Sequence, residues 1–269
     1  MEMVVRHWAT FGGIGARTRR GLGAVAVRRK GALLCVLPPA PSPTPCALRW
    51  SCRSLHTDAR SAHVEVIRSL QRFRQGKDWG RTHARGRSRW PEADIIRDKT
   101  GCWYVDPTRP AHNHKPSLAT LGRFPRAAFG LPIGLRFHRD HAPAGAADVL
   151  HRDPVAREIK PCKIAHGVVD ATFNRMASPL LLRPIAVMQN GQLRYRSVAA
   201  VIVDADTADD VVLVPTAGAP GASWQIWDAA LALPTSGIHA LNRAVPAGAL
   251  FSTPRSAVEA FVNFFHNGG

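Results

Sequence analysis

The sequence predicts an α+β fold in which an antiparallel sheet carries helices, and three features predict it. Two apolar runs, Pro179–Met188 and Leu193–Val203, flank Asn190-Gly191, the dipeptide that suits a tight hairpin turn. Residues 62–73 place Val64, Ile67, Leu70 and Phe73 at helical spacing, and residues 254–266 do the same with Val258, Phe261, Phe264 and Phe265. Strands and helices mixed along one chain in this way point to an α+β domain. At 269 residues the chain is long enough for one large or two small domains with a sizeable core.

Taken in order, the first element is a glycine- and arginine-rich run, Phe11 to Gly23. Gly12, Gly13, Gly15, Gly21 and Gly23 let backbone amides approach a polyanion without side-chain obstruction. Arg17, Arg19 and Arg20 are spaced to clamp the phosphates those amides approach. The plainer alternative is a tight turn whose arginines are solvated. Residues 24–37 read as two short apolar strands around a basic, glycine-containing turn, or as one interrupted strand. Five prolines in residues 38–45 form a stiff extended linker, so the domain boundary falls there: 1–37, a linker over 38–60, and 61–269.

Beyond the linker, the helix over 62–73 carries Arg68, Arg72 and Arg74 around its polar side. Residues 76–90 form a basic loop with Trp79 and Trp90 towards its ends, and 91–99 fit a short helix. Pro91 suits its first turn, and Glu92 and Asp94 suit the positive helix start. An irregular stretch over 101–130 leads into a strand near Ile133–His138. Pro184 makes the first hairpin strand an edge strand or a bulged one. Val211–Pro215 suggests a further strand, and Gly268 stops the last helix.

Charge is unevenly spread. The formal net charge is +17, yet residues 1–100 hold twenty Lys and Arg against seven Asp and Glu, and residues 201–269 hold two against six. So steep a gradient implies a basic surface for a polyanion at one end and a different surface at the other. Five cysteines without a CxxC pair argue against a disulfide framework and for a reducing cytoplasm. No apolar run approaches the roughly 20 residues that cross a bilayer, so no membrane partner is expected. Arg19-Arg20 is no export signal, because Arg28-Arg29-Lys30 interrupts the following apolar stretch too early.

Four segments then converge in a fixed order: Phe11–Val25 (FGGIGARTRRGLGAV), Gly86–Ile96 (GRSRWPEADII), Phe124–Ile133 (FPRAAFGLPI) and Arg175–Pro184 (RMASPLLLRP). Together they resemble the Cmr-one family, the RAMP-superfamily subunit of type III-B CRISPR effector complexes. The resemblance covers most of residues 8–200 and fades beyond about residue 230. It implies two ferredoxin-like (RRM-like) units, with the glycine-rich loop just before the last strand of the first. It also implies a place in a ribonucleoprotein that uses a guide RNA to recognise a complementary target RNA, near the 3′ part of the guide. Its partners are then both RNAs and the other Cmr-complex subunits, and target cleavage belongs to a different subunit. Family members carry most of a first unit ahead of the loop, whereas here Met1 lies ten residues upstream of Phe11, so that unit is expected to be largely missing.

The expectation is therefore a non-catalytic, cytoplasmic RNA-binding subunit in antiviral defence, with no cofactor, metal or catalytic residue. Besides the loop residues, the candidate RNA-binding set includes Arg87, Arg89, Arg126 and Arg175. Trp90 either stacks on a base or anchors its loop in the core, and one of Arg175 and Arg183 faces inward. His112-Asn113-His114 looks like a nuclease triplet, and Cys162 with His166 presents two ligands on a helix. Neither has the third ligand that a catalytic metal needs. The loop is neither a Walker A nor a Rossmann turn. The rival reading is a standalone, metal-independent RAMP endoribonuclease that processes repeat RNA with His7 or His63 as base. A non-functional gene remnant is the third.

Overall fold

The computed structural model describes residues 2–15, 18–33, 48–75, 92, 125–135, 157–165, 168–172, 175–202, 210–215, 225–227 and 256–268. Among them the order is helix α1 (Glu2–Phe11), a 3-10 turn (Thr18–Arg20), strands β1 (Arg28–Arg29), β2 (Ala32–Leu33) and β3 (Leu48–His56), and helix α2 (Ala59–Gln75). A second 3-10 turn (Pro125–Phe129) precedes β4 (Ile133–Leu135), β5 (Arg157–Ala165), β6 (Val168–Thr172), β7 (Leu180–Gln189) and β8 (Gln192–Ile202). Strands β9 (Asp210–Pro215) and β10 (Gln225–Trp227) and helix α3 (Ala257–His266) complete the order. All strand pairs among the described residues are antiparallel, so the α+β class holds.

The central sheet has the order β3-β8-β7. The β7–β8 hairpin turns at Asn190 and Gly191, both at positive φ (49° and 74°), the geometry that favours this dipeptide. Pro184 does lie in an edge strand. Strands β3 and β7 both run antiparallel to β8 and hence parallel to each other, with β8 between them. Segment 48–56, assigned to the linker from sequence, is in fact a strand of this sheet. The hairpin expected within 24–37 exists, but its strands are only β1 and β2, around Lys30 and Gly31.

The pleat sends alternate side chains to opposite faces. On one face Leu180, Leu182, Ala199 and Val201 meet Val66 and Phe73 of α2 and Val258, Phe261 and Phe265 of α3. Phe73 stands 5.5 Å from Phe261 and 5.4 Å from Phe264, centroid to centroid, in the tilted geometries that aromatic quadrupoles favour. Helix α2 buries Ala62, Val66, Ser69 and Phe73, and Val64 is only half-buried, so the stripe is rotated from the one expected. On the other face Leu181, Ile185, Val198 and Ala200 pack with Trp50, Ala9 of α1 and Val27. The amino-terminal segment therefore packs on this face of the sheet.

Both helices beside α2's core face are capped locally. Asp58 Oδ1 accepts the Ser61 N–H at 2.8 Å ahead of α2, and Ser256 Oγ accepts the Glu259 N–H at 3.3 Å ahead of α3. The Ser61 amide, then its hydroxyl, hold the exposed Asp58 carboxyl below its ordinary range. Strands β10, β9, β5 and β4 form a second sheet, with β6 also paired to β5. Cys162 is buried in β5, so it sits on a strand and not on the helix expected for it. Of the last helix's expected stripe, Val258, Phe261 and Phe265 are buried and Phe264 is half-buried.

Candidate nucleic-acid interface

The glycine-rich segment begins where α1 ends, with the Gly12 N–H on the Trp8 carbonyl at 2.7 Å. It closes through Ile14 N–H to the Gly23 carbonyl at 2.9 Å. Gly23 has a φ of +87°, and a Cβ there would sit 1.9 Å from the Ile14 carbonyl oxygen. No other residue closes the loop that way. Gly12 packs against Trp8, and Gly21 against the β7 backbone at Leu182. Gly15 differs: its φ is +105°, and nothing lies within 4 Å of where a Cβ would be. Packing within the chain thus accounts for Gly12, Gly21 and Gly23, while Gly15 faces open space and Gly13 is half-buried.

Two arginines tie this loop to the segment 175–184. Arg183 alternates with Leu181 and Ile185 on the α1 face of β7, is 2% exposed, and donates Nη1–H to the Gly12 carbonyl. Arg19 donates Nη1–H to the Ser178 carbonyl. Segment 124–133 joins the same region: Leu131 and Met176 exchange both N–H···O bonds, at 3.0 and 3.2 Å. Glu92 of segment 86–96 accepts the Arg126 N–H on Oε1 at 2.6 Å. The four segments that carry the resemblance are therefore linked in series: 11–25 to 175–184, 175–184 to 124–133, and 124–133 to Glu92. Of the pair Arg175 and Arg183, Arg183 is the inward one, and its partner is a main-chain carbonyl, whereas Arg175 is exposed.

The remaining candidates divide cleanly. Arg19 and Arg20 are exposed and Arg126 is half-buried, although Arg19 already spends one N–H on Ser178. Arg17, Arg87, Arg89, Trp90, His112, His114 and His166 lie outside the described residues.

Arg74 of α2 feels the charges of arginines from two other segments, Arg126 and Arg20. His63 Nε2 bonds the Arg20 carbonyl at 2.6 Å, and since a carbonyl only accepts, that nitrogen carries the proton. The Arg74 guanidinium lies 6.0 Å from the Phe129 ring centroid, beside the turn that holds Arg126. Burial, and then the positive charges of Arg126 and Arg20, push the Arg74 guanidinium down from its ordinary range. Glu92 lies with them at 0% exposure, and its Oε2 has no hydrogen-bond partner among the described residues. Burial pushes its carboxyl up to about 7, against the pull of Arg126 and Arg74. Sequence reasoning had put Arg74 on a solvated helix side and Glu92 at a helix start. The basic character of residues 60–90 was the available signal for Arg74.

A second polar cluster was missed altogether. Ser197 donates to Glu65 Oε2, His56 Nε2 lies 2.9 Å from the same oxygen, and Ser54 donates to Oε1 at 2.9 Å. Burial pushes the Glu65 carboxyl up, but these hydrogen bonds outweigh it and hold the group below its ordinary range. The arrangement does not activate Ser197. One imidazole nitrogen faces both serine and carboxylate, whereas a nucleophile relay needs the two ring nitrogens to face them separately. Among the described residues no group of three His, Cys, Asp or Glu side chains can hold a metal ion, and no helix is long and apolar enough to cross a membrane. No protein-family model, curated protein or solved structure matches the chain.

Proposed function

We propose that the chain is a non-catalytic RNA-binding subunit of a type III-B CRISPR effector complex, holding the guide or guide–target backbone. The observation that carries this reading is the series of contacts that links the four resembling segments, Gly12–Arg183, Arg19–Ser178, Leu131–Met176 and Glu92–Arg126. Segments far apart in sequence that are tied to one another in the fold, with exposed arginines among them, are what a shared binding surface requires. In the central sheet and its two helices the order β3–α2–β7–β8–α3, with β8 between β3 and β7 and with β4–β6 inserted after α2, supports the ferredoxin-like reading. Recognition then works by neutralising phosphates, and base pairing supplies sequence specificity.

The test is a salt series of binding to labelled single-stranded RNA by the full chain. Replacing Arg17, Arg19 and Arg20 with Ala removes at least two phosphate contacts, given that Arg19 serves Ser178. The slope of log affinity on log salt then falls by about 1.4, at roughly 0.7 for each contact to a single strand. An unchanged slope overturns the loop's role. Site-specific RNA cleavage that disappears on His63→Ala favours the endoribonuclease instead.

A further inference from the structure

Arg28, Arg29 and Lys30 stand exposed on the β1–β2 hairpin, outside the glycine-rich loop. Their turn repeats the β7–β8 turn: φ is 48° at Lys30 and 81° at Gly31, against 49° at Asn190 and 74° at Gly191. Asn-Gly suits such a pair of positive φ angles, whereas a lysine held there is strained. The chain thus uses the relaxed dipeptide in one hairpin and places a cation at the same position of the other. Strain of this kind persists where the side chain has a use. We propose that this hairpin tip is a second phosphate-binding element, holding the RNA backbone at a point beyond the one the glycine-rich loop grips. It rests on the RNA-binding reading above and adds Arg28, Arg29 and Lys30, which that reading did not contain.

Position and charge favour that occupant. Val27, next to the hairpin, packs against the cluster of Leu181, Ile185, Val198 and Ala200, and β2 touches β7. The 3-10 turn Thr18–Arg20 touches β7 as well, and Gly21 lies against its backbone at Leu182 and Arg183. Loop and hairpin therefore sit on one edge strand. Its ten residues span roughly 33 Å, within reach of a single oligonucleotide. No Asp or Glu occurs between Glu2 and Asp58, nor from Arg175 to Ile202, so neither segment supplies a carboxylate to these cations. Arg28 Nη1–H reaches back across the turn to the Gly31 carbonyl at 3.4 Å. A surface of cations alone attracts a polyanion, and the guanidinium fork matches phosphate oxygens in pairs.

Fluorescence anisotropy of the full chain with labelled oligouridylate over a salt series, paired with urea unfolding, tests this. Lys30→Asn should lower the log–log slope by about 0.7 while raising the urea midpoint, because it removes a phosphate contact and relaxes the turn. Arg28→Gln, Arg29→Gln and Lys30→Asn together should lower the slope by about 2.1. Arg68→Gln with Arg72→Gln, at exposed positions of α2 on the opposite sheet face, should leave it unchanged. An unchanged slope in either hairpin variant, or an equal fall per charge removed from α2, overturns the second element and leaves the RNA reading standing. Polyglutamate that binds the wild type as tightly as oligouridylate, and weakens with the triple variant, assigns the tip to an acidic protein and overturns the element too. A chain that binds no oligouridylate loses both.

Discussion

Glu92 makes the stability of this fold depend on pH in a direction opposite to most carboxylates. Its carboxyl ionises near 4.5 in an unfolded chain and at about 7 in the folded one, chiefly because burial penalises the charge. A group raised on folding contributes fully below the unfolded value, and that contribution is lost as pH climbs through the folded value. At about 1.36 kcal/mol per pH unit, the span from 4.5 to about 7 is worth about 3 kcal/mol. Between pH 5 and pH 8 the chain should therefore lose roughly that much stability from Glu92 alone. For a chain of this size the loss lowers Tm by roughly 6–12 °C. Glu92→Gln keeps an acceptor for the Arg126 N–H and cannot ionise, so its pH profile should lack this component. Urea midpoints of both proteins, measured at half-unit pH intervals, give the difference curve. A difference curve flat with pH would refute the argument, because it would assign the titration to other groups.

Other perturbations follow from the packing. Arg183→Met should destabilise by about 1.5–3 kcal/mol, the worth of a hydrogen bond from a charged donor, read as a lower urea midpoint with α1 losing proteolytic protection first. Phe261→Ala removes the ring that meets both Phe73 and Phe265, and should cost about 3–5 kcal/mol by the same measurement. Ser256→Ala takes the acceptor from the Glu259 N–H and should cost about 1 kcal/mol, visible as earlier fraying of α3 in hydrogen exchange.

Much of the central sheet was legible because its signals are local. Asn190-Gly191 fixes a turn by its own backbone preference, Pro184 lacks the N–H an interior strand would need, and the Phe261–Phe265 stripe repeats within one helix. Strand β3 was hidden because its polar residues find distant partners. Ser51 meets His266 Nδ1 at 3.1 Å, and Arg53 donates to Ser69 and lies over the Phe265 ring. Read locally, Ser51, Arg53 and Ser54 look like linker. Of the second sheet, the strands at Ile133–Leu135 and Asp210–Pro215 were foreshadowed, but β5 was hidden for a related reason: it contains Glu158, Lys160 and Pro161, and its pairing with β9 spans a long stretch of chain. The roles of the loop glycines were only partly legible, since a glycine needed for loop closure, such as Gly23, reads the same as one needed for a ligand.

The ties between the four segments mostly end on main-chain atoms: the carbonyls of Gly12 and Ser178 and the amide of Arg126. A main-chain group is there whatever side chain it carries, so each tie constrains one residue of the pair and ignores the identity of the other. For Arg126 this means that the tie holds the backbone amide and makes no use of the side chain's hydrogen-bond donors. Glu92 anchors its backbone, so a change of the Arg126 side chain leaves that bond in place.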